Sequence, residues 1–308
     1  MNIFDYEAII VGGGPAGLTA GIYLARTRRR VVLLGEKIFD SPVANIELIE
    51  NYPGYSEPVG GAQLIGEMIN QAMRYGLALE QMAVTSVEQT TNVIRVTCSG
   101  DKIFSSRVLI IASGSLYKKL GVPGEDLLTG KGVFNCALCD GGKFKDKVVV
   151  VCGGGDAGVT EAIYMANLAS RVILVEAMPN LTATEILKEK LSSDSRIEVY
   201  CNTKVMAILG TDHVEGIKIA DQSEQERTIE VSGVLVHIGL KPNTGFLNNV
   251  LPLDETGHIL VNGNMESKVT GILAAGDVRS GSPKQIVTAT GDGAIAAITA
   301  EKFLQRDQ

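Results

Sequence analysis

A duplicated glycine-rich segment constrains the fold of this chain more than any other feature. Residues 8–17 and residues 148–158 each contain a run of apolar residues typical of a buried strand, followed by the pattern G-x-G-x-x-G. A helical pattern follows each copy, and a second apolar strand follows each helix. These segments are residues 18–28 and 31–34 after the first copy, and residues 159–168 and 171–175 after the second. The repeat predicts two βαβ units, each of the kind that binds a nucleotide.

The acidic residue after each copy strengthens the interpretation as a dinucleotide fold. Glu36 lies 24 residues after Gly12, and Glu176 lies 23 residues after Gly153. A ribose-binding acid is expected about 20 residues after the first glycine. Glycine lets the backbone approach a pyrophosphate, and the helix N-terminus offers free N–H groups. The alternative is a tight strand–helix turn that binds nothing. The predicted turn residues are Gly12, Gly14, Pro15, Ala16 and Gly17 in the first copy, and Gly153, Gly155, Asp156 and Gly158 in the second.

The order of these segments predicts an α/β fold with two Rossmann-like nucleotide-binding domains, each a three-layer ββα arrangement, the second inserted into the first. Residues 1–118 and 244–308 form the predicted first domain, and residues 119–243 the second. Turn-forming sequences at residues 121–124 and 239–243 are the candidate linkers. The last strand, at residues 271–277, ends in Gly-Asp, and a long helix is expected from about residue 285 to 304.

Composition and charge exclude several classes of protein. The 308 residues include 28 basic and 35 acidic side chains, a net charge of −7, which argues against a nucleic-acid-binding protein. No apolar run reaches the ~20 residues that a membrane helix needs. Asp5 and Glu7 occupy the place of the basic region of a signal peptide, so we expect a cytoplasmic protein.

A pair of cysteines gives the sharpest chemical signal. Cys136 and Cys139 are separated by two residues, and Asp140 follows them. Such a pair can form a reducible disulfide, and the Cys-x-x-Cys setting can lower a thiol pKa to about 7. Asn135 is a candidate N-cap for a helix that carries both sulfurs, and Asp140 is a candidate proton donor or acceptor. A zinc site needs about four ligands. The remaining cysteines and the histidines are scattered along the chain and form no second pair, so a zinc site is not favoured. Two inert structural cysteines at positions 136 and 139 are not favoured either. The scattered residues are Cys98, Cys152, Cys201, His213, His237 and His258.

At this point the chain resembles the low-molecular-weight thioredoxin reductase family of FAD-dependent disulfide reductases over nearly its whole length. The segments that carry the resemblance are residues 12–17, 50–54, 136–141, 153–158 and 274–277. The resemblance implies that the first domain binds FAD and the second binds NADPH. It also implies a homodimer whose second domain swings about its two linkers.

The resemblance assigns roles to individual residues. Cys139 would exchange electrons with the flavin, Cys136 would attack the disulfide of a thioredoxin-like partner, and Asp140 would donate a proton. Glu36 would hold the FAD ribose. The residues implied to line the flavin and its ribityl chain are Asn51, Gly276, Asp277, Lys284, Gln285 and Ile286.

The sequence departs from the family in two places that matter. Residues 38–45 replace the usual Gly-Gly-Gln stretch, and Asn45 is the candidate for its contact with the flavin ring. Glu176 and residues 177–183 replace the His-Arg-Arg run that clamps the 2′-phosphate of NADPH, and they contain no cation. The Glu176 carboxylate would bind an unmodified ribose and repel a phosphate, so NADPH is a poor candidate.

Three electron sources therefore remain open. The second site could take NADH or a second FAD, or it could stay empty while a protein such as ferredoxin supplies electrons. The arginines at positions 26, 28, 29 and 30 could dock an acidic donor, although a basic helix C-terminus is the simpler explanation.

The sequence as a whole predicts an FAD-dependent dithiol–disulfide oxidoreductase that passes electrons through Cys136 and Cys139 to a small disulfide protein. Two alternatives remain. One is an NADH oxidase or diaphorase in which the cysteines are incidental. The other is a flavin-bearing redox sensor that changes conformation without turnover.

Overall fold

The computed structural model describes residues 4–36, 38, 41–44, 46, 49, 51–90 and 93–306, except for the side chains of Leu138 and Cys139. The chain divides into two compact units. Unit 1 comprises residues 1–116 and 241–308, and unit 2 comprises residues 117–240. No helix within the described residues is long and apolar enough to span a bilayer.

The secondary structure alternates strands and helices in the order expected of two βαβ folds. The strands are β1 (Ala8–Val11), β2 (Val31–Leu34), β3 (Ala78–Glu80), β4 (Val84–Gln89), β5 (Ile94–Cys98), β6 (Ile103–Ser106), β7 (Val108–Ile111), β8 (Ser115–Tyr117), β9 (Val133–Phe134), β10 (Val148–Cys152), β11 (Arg171–Val175), β12 (Ile197–Tyr200), β13 (Lys204–Gly210), β14 (Val214–Ala220), β15 (Glu226–Glu230), β16 (Gly233–Val236), β17 (Leu240–Pro242) and β18 (Ile272–Ala274). The helices are α1 (Pro15–Arg26), α2 (Gly61–Arg74), α3 (Glu125–Leu128), α4 (Ala137–Asp140), α5 (Asp156–Ala166), α6 (Glu185–Ser192) and α7 (Ile286–Arg306).

Unit 1 has three layers. Its central sheet is parallel, in the order β18-β7-β1-β2-β3. One face packs against α1, α2 and α7, and the other packs against the antiparallel sheet β4-β5-β6. The central strands are buried on both faces, which explains why they are continuously apolar instead of alternating.

Unit 2 repeats this plan. Its parallel sheet runs β12-β11-β10-β16-β9. One face packs against α5 and α6, and the other against the antiparallel sheet β13-β14-β15. The predicted α/β class, with two Rossmann-like three-layer domains, is confirmed.

The chain crosses between the units at two paired strands. β8 and β17 form a two-stranded sheet, and backbone hydrogen bonds from Lys118 to Gly239 and from Asn243 to Gly114 (2.9 Å each) brace its ends. The predicted boundaries at 118/119 and 243/244 lie beside these strands.

The candidate linker at residues 121–124 was wrong, because this segment lies inside unit 2. The Pro123 carbonyl accepts the N–H of Ile208 (2.9 Å). The Glu125 carboxylate accepts the N–H groups of Leu120 and Gly121 (2.9 and 2.7 Å). The glycines therefore build a turn that packs against β13, and they do not form a hinge.

The helices after the two glycine-rich turns begin earlier than the sequence pattern predicted. α1 begins at Pro15 and α5 at Asp156, three residues before the predicted starts, because Gly14 and Gly155 serve as extended N-cap residues. Proline fits the first helical position of α1, where the missing N–H has no intrahelical partner. The last three residues of each motif therefore belong to the helix.

Candidate functional site

In the first glycine-rich turn, one glycine has free space where a side chain would be, and close packing fills that space at the other glycines. Gly12 has a φ of +114°, and a Cβ there would overlap the carbonyl of Ala112. A Cβ on Gly17 would overlap the Gly12 carbonyl, whereas one on Gly14 would meet nothing within 4 Å. Two glycines are thus required for the strand–helix approach, and the third leaves space where a pyrophosphate can approach the backbone. Pro15 and Ala16 are buried at the start of α1.

The strand β18 brings Gly276 and Asp277 to the same edge of the sheet as this turn. Gly276 has a φ of +78°, and a Cβ there would lie 3.0 Å from the Cβ of Ala16. Its N–H donates to Oδ2 of Asp292 (3.1 Å), and Arg279 binds the same oxygen through Nε (2.5 Å). Burial raises the pKa of Asp277. Sequence reasoning missed Arg279 and Asp292, although an acid on the apolar face of α7 signals a buried polar partner.

The remaining predicted flavin contacts lie around the start of α7. Nδ2 of Asn51 donates to Oε1 of Gln285 (3.2 Å), which joins two residues that are far apart in sequence. Lys284 has a left-handed backbone (φ 57°), and Ile286 is the first residue of α7. Glu36 is exposed just after β2. Asn45 lies outside the described residues.

The second glycine-rich turn has the same construction as the first. Gly153 has a φ of +118°, and a Cβ there would overlap the carbonyl of His237. A Cβ on Gly158 would overlap the Gly153 carbonyl, and one on Gly155 would meet only Oγ1 of Thr182, at 3.6 Å. The open middle position is therefore present in both units.

Both carboxylate oxygens of Glu176 are held at this second turn. Oε2 accepts the N–H of Gly154 (2.5 Å), and Oε1 accepts the N–H of Met178 (2.8 Å). Asp156 accepts the N–H of Thr184 through Oδ1 (2.6 Å), which ties the following loop to α5. The predicted neighbours Glu176 and Gly153–Gly158 are thus brought together. Each carboxylate oxygen has a further lone pair for a ribose hydroxyl.

Cys136 is oxidised in a disulfide and directly precedes α4. The side chain of Cys139 lies outside the described residues, so its pairing with Cys136 stays a prediction. Asp140 ends α4, and its Oδ1 binds Nζ of Lys143 (2.5 Å).

The N-cap prediction for Asn135 was wrong. Its Nδ2 instead donates to the carbonyl of Val236 at the end of β16 (2.8 Å). Because α4 begins at Ala137, Asn135 lies one residue before the N-cap position, and its amide instead anchors the chain to the sheet. The acceptor at the start of α4 is Glu161 of α5, whose Oε2 receives the N–H of Ala137 (2.7 Å).

Three titratable side chains near this short helix were missed as functional candidates. Burial raises the pKa of Glu161, and burial with a smaller contribution from Glu161 raises that of Tyr117. Burial lowers the pKa of His237. The Tyr117 and His237 rings meet edge to face, with centroids 5.4 Å apart. An acid at the sixth position of α5, directly before the apolar residues of its second half, was the sequence signal for Glu161.

The other three cysteines are free thiols. Burial raises the pKa of each, for Cys152 to about 12, so they are poor nucleophiles. Within the described residues, no cluster of His, Cys, Asp and Glu has the arrangement of a metal site.

The arginine cluster is engaged within unit 1. Arg29 forms ion pairs with Glu7 and Glu301, each at 2.8 Å. Arg30 donates to the carbonyl of Asp5 (3.0 Å), and the Arg26 guanidinium lies 5.5 Å from the ring centre of Tyr75. These contacts give Arg26, Arg29 and Arg30 a structural role.

Comparison with known proteins agrees with this architecture. The family described as pyridine nucleotide-disulphide oxidoreductase matches residues 6–293. Thioredoxin reductase of Bacillus subtilis (strain 168) is 37% identical over 309 residues, covering 98% of this chain and 96% of that protein. The structure of Lactococcus lactis thioredoxin reductase superposes with a TM-score of 0.91 at 32% identity, covering 98% of this chain and 100% of the other. A ferredoxin-flavin thioredoxin reductase of Clostridium acetobutylicum gives a TM-score of 0.55 at 27% identity, with 98% of each chain covered.

The fold and these similarities define a flavoprotein disulfide oxidoreductase with FAD as its cofactor. The chain belongs to the pyridine nucleotide-disulphide oxidoreductase family and, within it, to the low-molecular-weight thioredoxin reductases.

Proposed function

We propose that the enzyme passes electrons through a Cys136–Cys139 disulfide to a small, thioredoxin-like disulfide protein. The observation that carries this proposal is the oxidised state of Cys136 directly before α4, while the other described thiols are free and have raised pKa values. The sequence predicts a cytoplasmic protein, and disulfides are uncommon in cytosolic proteins unless they are redox-active.

The exchange with the partner follows from thiol–disulfide chemistry. The Cys136 thiolate attacks one sulfur of the partner disulfide, and the other partner sulfur leaves as a thiolate. The Cys139 thiolate then attacks Cys136, which restores the enzyme disulfide and releases the reduced partner with two electrons. Asp140, at the end of α4 and paired with Lys143, is the group proposed to pass a proton from solvent to the leaving thiolate.

Unit 1 has the residues to hold FAD. The open position at Gly14 and the free N–H groups at the start of α1 suit a pyrophosphate. Glu36 would bind the ribose, and the pair Asn51–Gln285 together with Gly276–Asp277 would line the flavin. Bound FAD supplies the two-electron chemistry that reduces the disulfide.

We propose NADH as the electron donor at unit 2. The Glu176 carboxylate is fixed beside the glycine-rich turn, and residues 177–183 contain no lysine or arginine. A 2′-phosphate next to this carboxylate would be repelled by about a few kcal/mol. NADPH is therefore disfavoured. A second FAD, whose adenosine ribose also has free hydroxyls, and a ferredoxin-type protein donor remain the alternative sources. The name of the Clostridium relative makes the ferredoxin route a specific alternative.

The partner surface is proposed to lie beside α4. A cavity of about 690 Å³ in unit 2 is lined by polar side chains that include Lys131, Lys143, Lys147, His213, Glu215 and Glu230. Lys143 connects this cavity with Asp140. The lysines suit an acidic face on the disulfide partner.

A homodimer is proposed through unit 1. Val287, Ile295 and Ile298 repeat at helical spacing along one side of α7, and they are 42%, 39% and 47% exposed. A second copy of the chain would bury this apolar stripe.

Replacement of Cys139 by serine tests the proposed function. We expect Cys139→Ser to abolish reduction of thioredoxin while FAD stays bound, measured as steady-state turnover and as bound flavin absorbance per chain. A matched Cys201→Ser variant, at a free thiol of unit 2, should keep the wild-type rate. If Cys139→Ser reduces thioredoxin at the wild-type rate, the mechanism is wrong. NADH oxidation that survives loss of both Cys136 and Cys139 would instead favour an oxidase.

A further inference from the structure

The Cys136 backbone is held from both sides within unit 2. On one side, Asn135 donates to the Val236 carbonyl at the end of β16 (2.8 Å). On the other side, the Ala137 N–H donates to Oε2 of Glu161 on α5 (2.7 Å). Both neighbours of Cys136, Asn135 and Ala137, are therefore held by hydrogen bonds. The partner of Ala137, Glu161, carries a negative charge when it is ionised.

Glu161 is a partly buried carboxyl group, and burial is the main cause that raises its pKa. Tyr117 of β8 interacts electrostatically with Glu161, and the His237 ring, just after β16, packs against Tyr117; burial disfavours the charged form of both rings. On the α4 side, Asp140 is paired with Lys143. Tyr164 lies one turn further along α5. Oε2 of the Glu161 carboxylate accepts the N–H of Ala137 at the start of α4.

We propose that Glu161 is a positioning residue that holds the turn between the two cysteines and whose negative charge restrains formation of the Cys136 thiolate. This inference rests on the proposed dithiol chemistry. Two negative charges close together in a poorly solvated place destabilise each other, so an ionised Glu161 favours the neutral thiol at Cys136. The enzyme would thereby keep the attacking thiol protonated until a partner binds.

The test measures Cys136 without any turnover. In a Cys139→Ser background, alkylation of Cys136 by iodoacetamide is followed against pH by peptide mass spectrometry. Glu161→Gln keeps an oxygen acceptor for the Ala137 N–H and removes the charge. We expect the midpoint of the alkylation profile to fall by about one pH unit. Glu189→Gln, which removes an equal charge from an exposed position on α6, should leave the midpoint unchanged.

A second variant separates charge from geometry. Glu161→Asp keeps the charge but shortens the side chain by one methylene, which weakens the bond to Ala137. We expect a lower melting temperature with an alkylation midpoint that stays above that of Glu161→Gln. If Glu161→Asp and Glu161→Gln have the same midpoint, or if Glu189→Gln shifts the midpoint as much as Glu161→Gln, the proposal is overturned. Because these measurements use no electron donor or partner, they can fail while the proposed function stands, and the turnover test of Cys139→Ser can fail independently.

Discussion

Glu176 is the residue on which the proposed preference for NADH rests. Its two carboxylate oxygens accept hydrogen bonds from the N–H groups of Gly154 and Met178. These bonds hold the carboxylate beside the glycine-rich turn, where a bound nucleotide would meet it. Sequence spacing predicted that Glu176 would meet the glycine-rich turn. The second hydrogen bond, to Met178, depends on the path of the loop, which the spacing does not determine.

We predict that replacement of Glu176 changes the choice of nucleotide. Glu176→Ala removes both the ribose acceptor and the charge that repels a 2′-phosphate, so the preference for NADH over NADPH should fall at least about tenfold, or 1.4 kcal/mol. Dissociation constants from isothermal titration measure this ratio. Glu185→Ala, at an exposed acid on α6, should leave it unchanged. Wild-type enzyme that binds NADPH more tightly than NADH would contradict the proposed role of Glu176.

At the scale of elements, the approach of α7 to α1 organises unit 1. A Cβ on Gly293 would overlap the carbonyl of Ala16, so this glycine allows the two helices to meet where Gly276 also contacts Ala16. The strands and helices of both βαβ units could be predicted from apolar runs and glycine spacing, because those signals are local. The hydrogen bonds that Glu161 accepts from Ala137 and that Asp292 accepts from Gly276 could not be predicted, because each joins different elements.

Two glycines of α7 provide a matched test of this helix contact. Gly293→Ala should lower the free energy of unfolding by about 1–3 kcal/mol through overpacking. Gly291→Ala, where a Cβ meets nothing within 4 Å, should raise it by about 0.5–1 kcal/mol because alanine favours the helix. Urea denaturation measures both values. Equal effects of the two substitutions would show that the contact is not tight.

The Arg29–Glu301 ion pair joins α7 to the end of α1 and gives a pH prediction. A hydrogen bond from Arg29 lowers the pKa of Glu301 below its ordinary value of 4.5. The folded state therefore binds this proton less readily than the unfolded state, and the stabilisation is present above the ordinary value and is lost as the pH falls. The stability difference between wild type and Glu301→Gln should shrink as the pH drops below about 5. Melting curves at several pH values measure it, and a difference independent of pH would contradict this assignment.

At the scale of the whole molecule, the two units share the same three-layer fold and glycine-rich turn, but they carry different functional residues. Both glycine-rich turns keep an open middle glycine, but unit 2 adds the Cys136 segment and its anchor Glu161. The repeat itself was readable from the sequence. The predicted domain boundaries lie beside β8 and β17, but the pairing of these two short strands was not predicted, because they are stabilised by each other rather than by a local pattern.

The proposed dimer belongs to this scale as well. Replacement of Ile295 and Ile298 by glutamate places charges in the exposed apolar stripe of α7, so we expect the purified protein to change from dimer to monomer. Light scattering after size exclusion measures the mass. A wild-type mass of one chain would contradict the proposal.

Anaerobic reductive titration tests the central claim most directly, because it counts the redox groups in each chain. One flavin and one disulfide should together accept about four electrons per chain, and the Cys139→Ser variant should accept about two. A wild-type chain that accepts only about two electrons, all accounted for by loss of flavin absorbance, would contradict a redox-active Cys136–Cys139 pair.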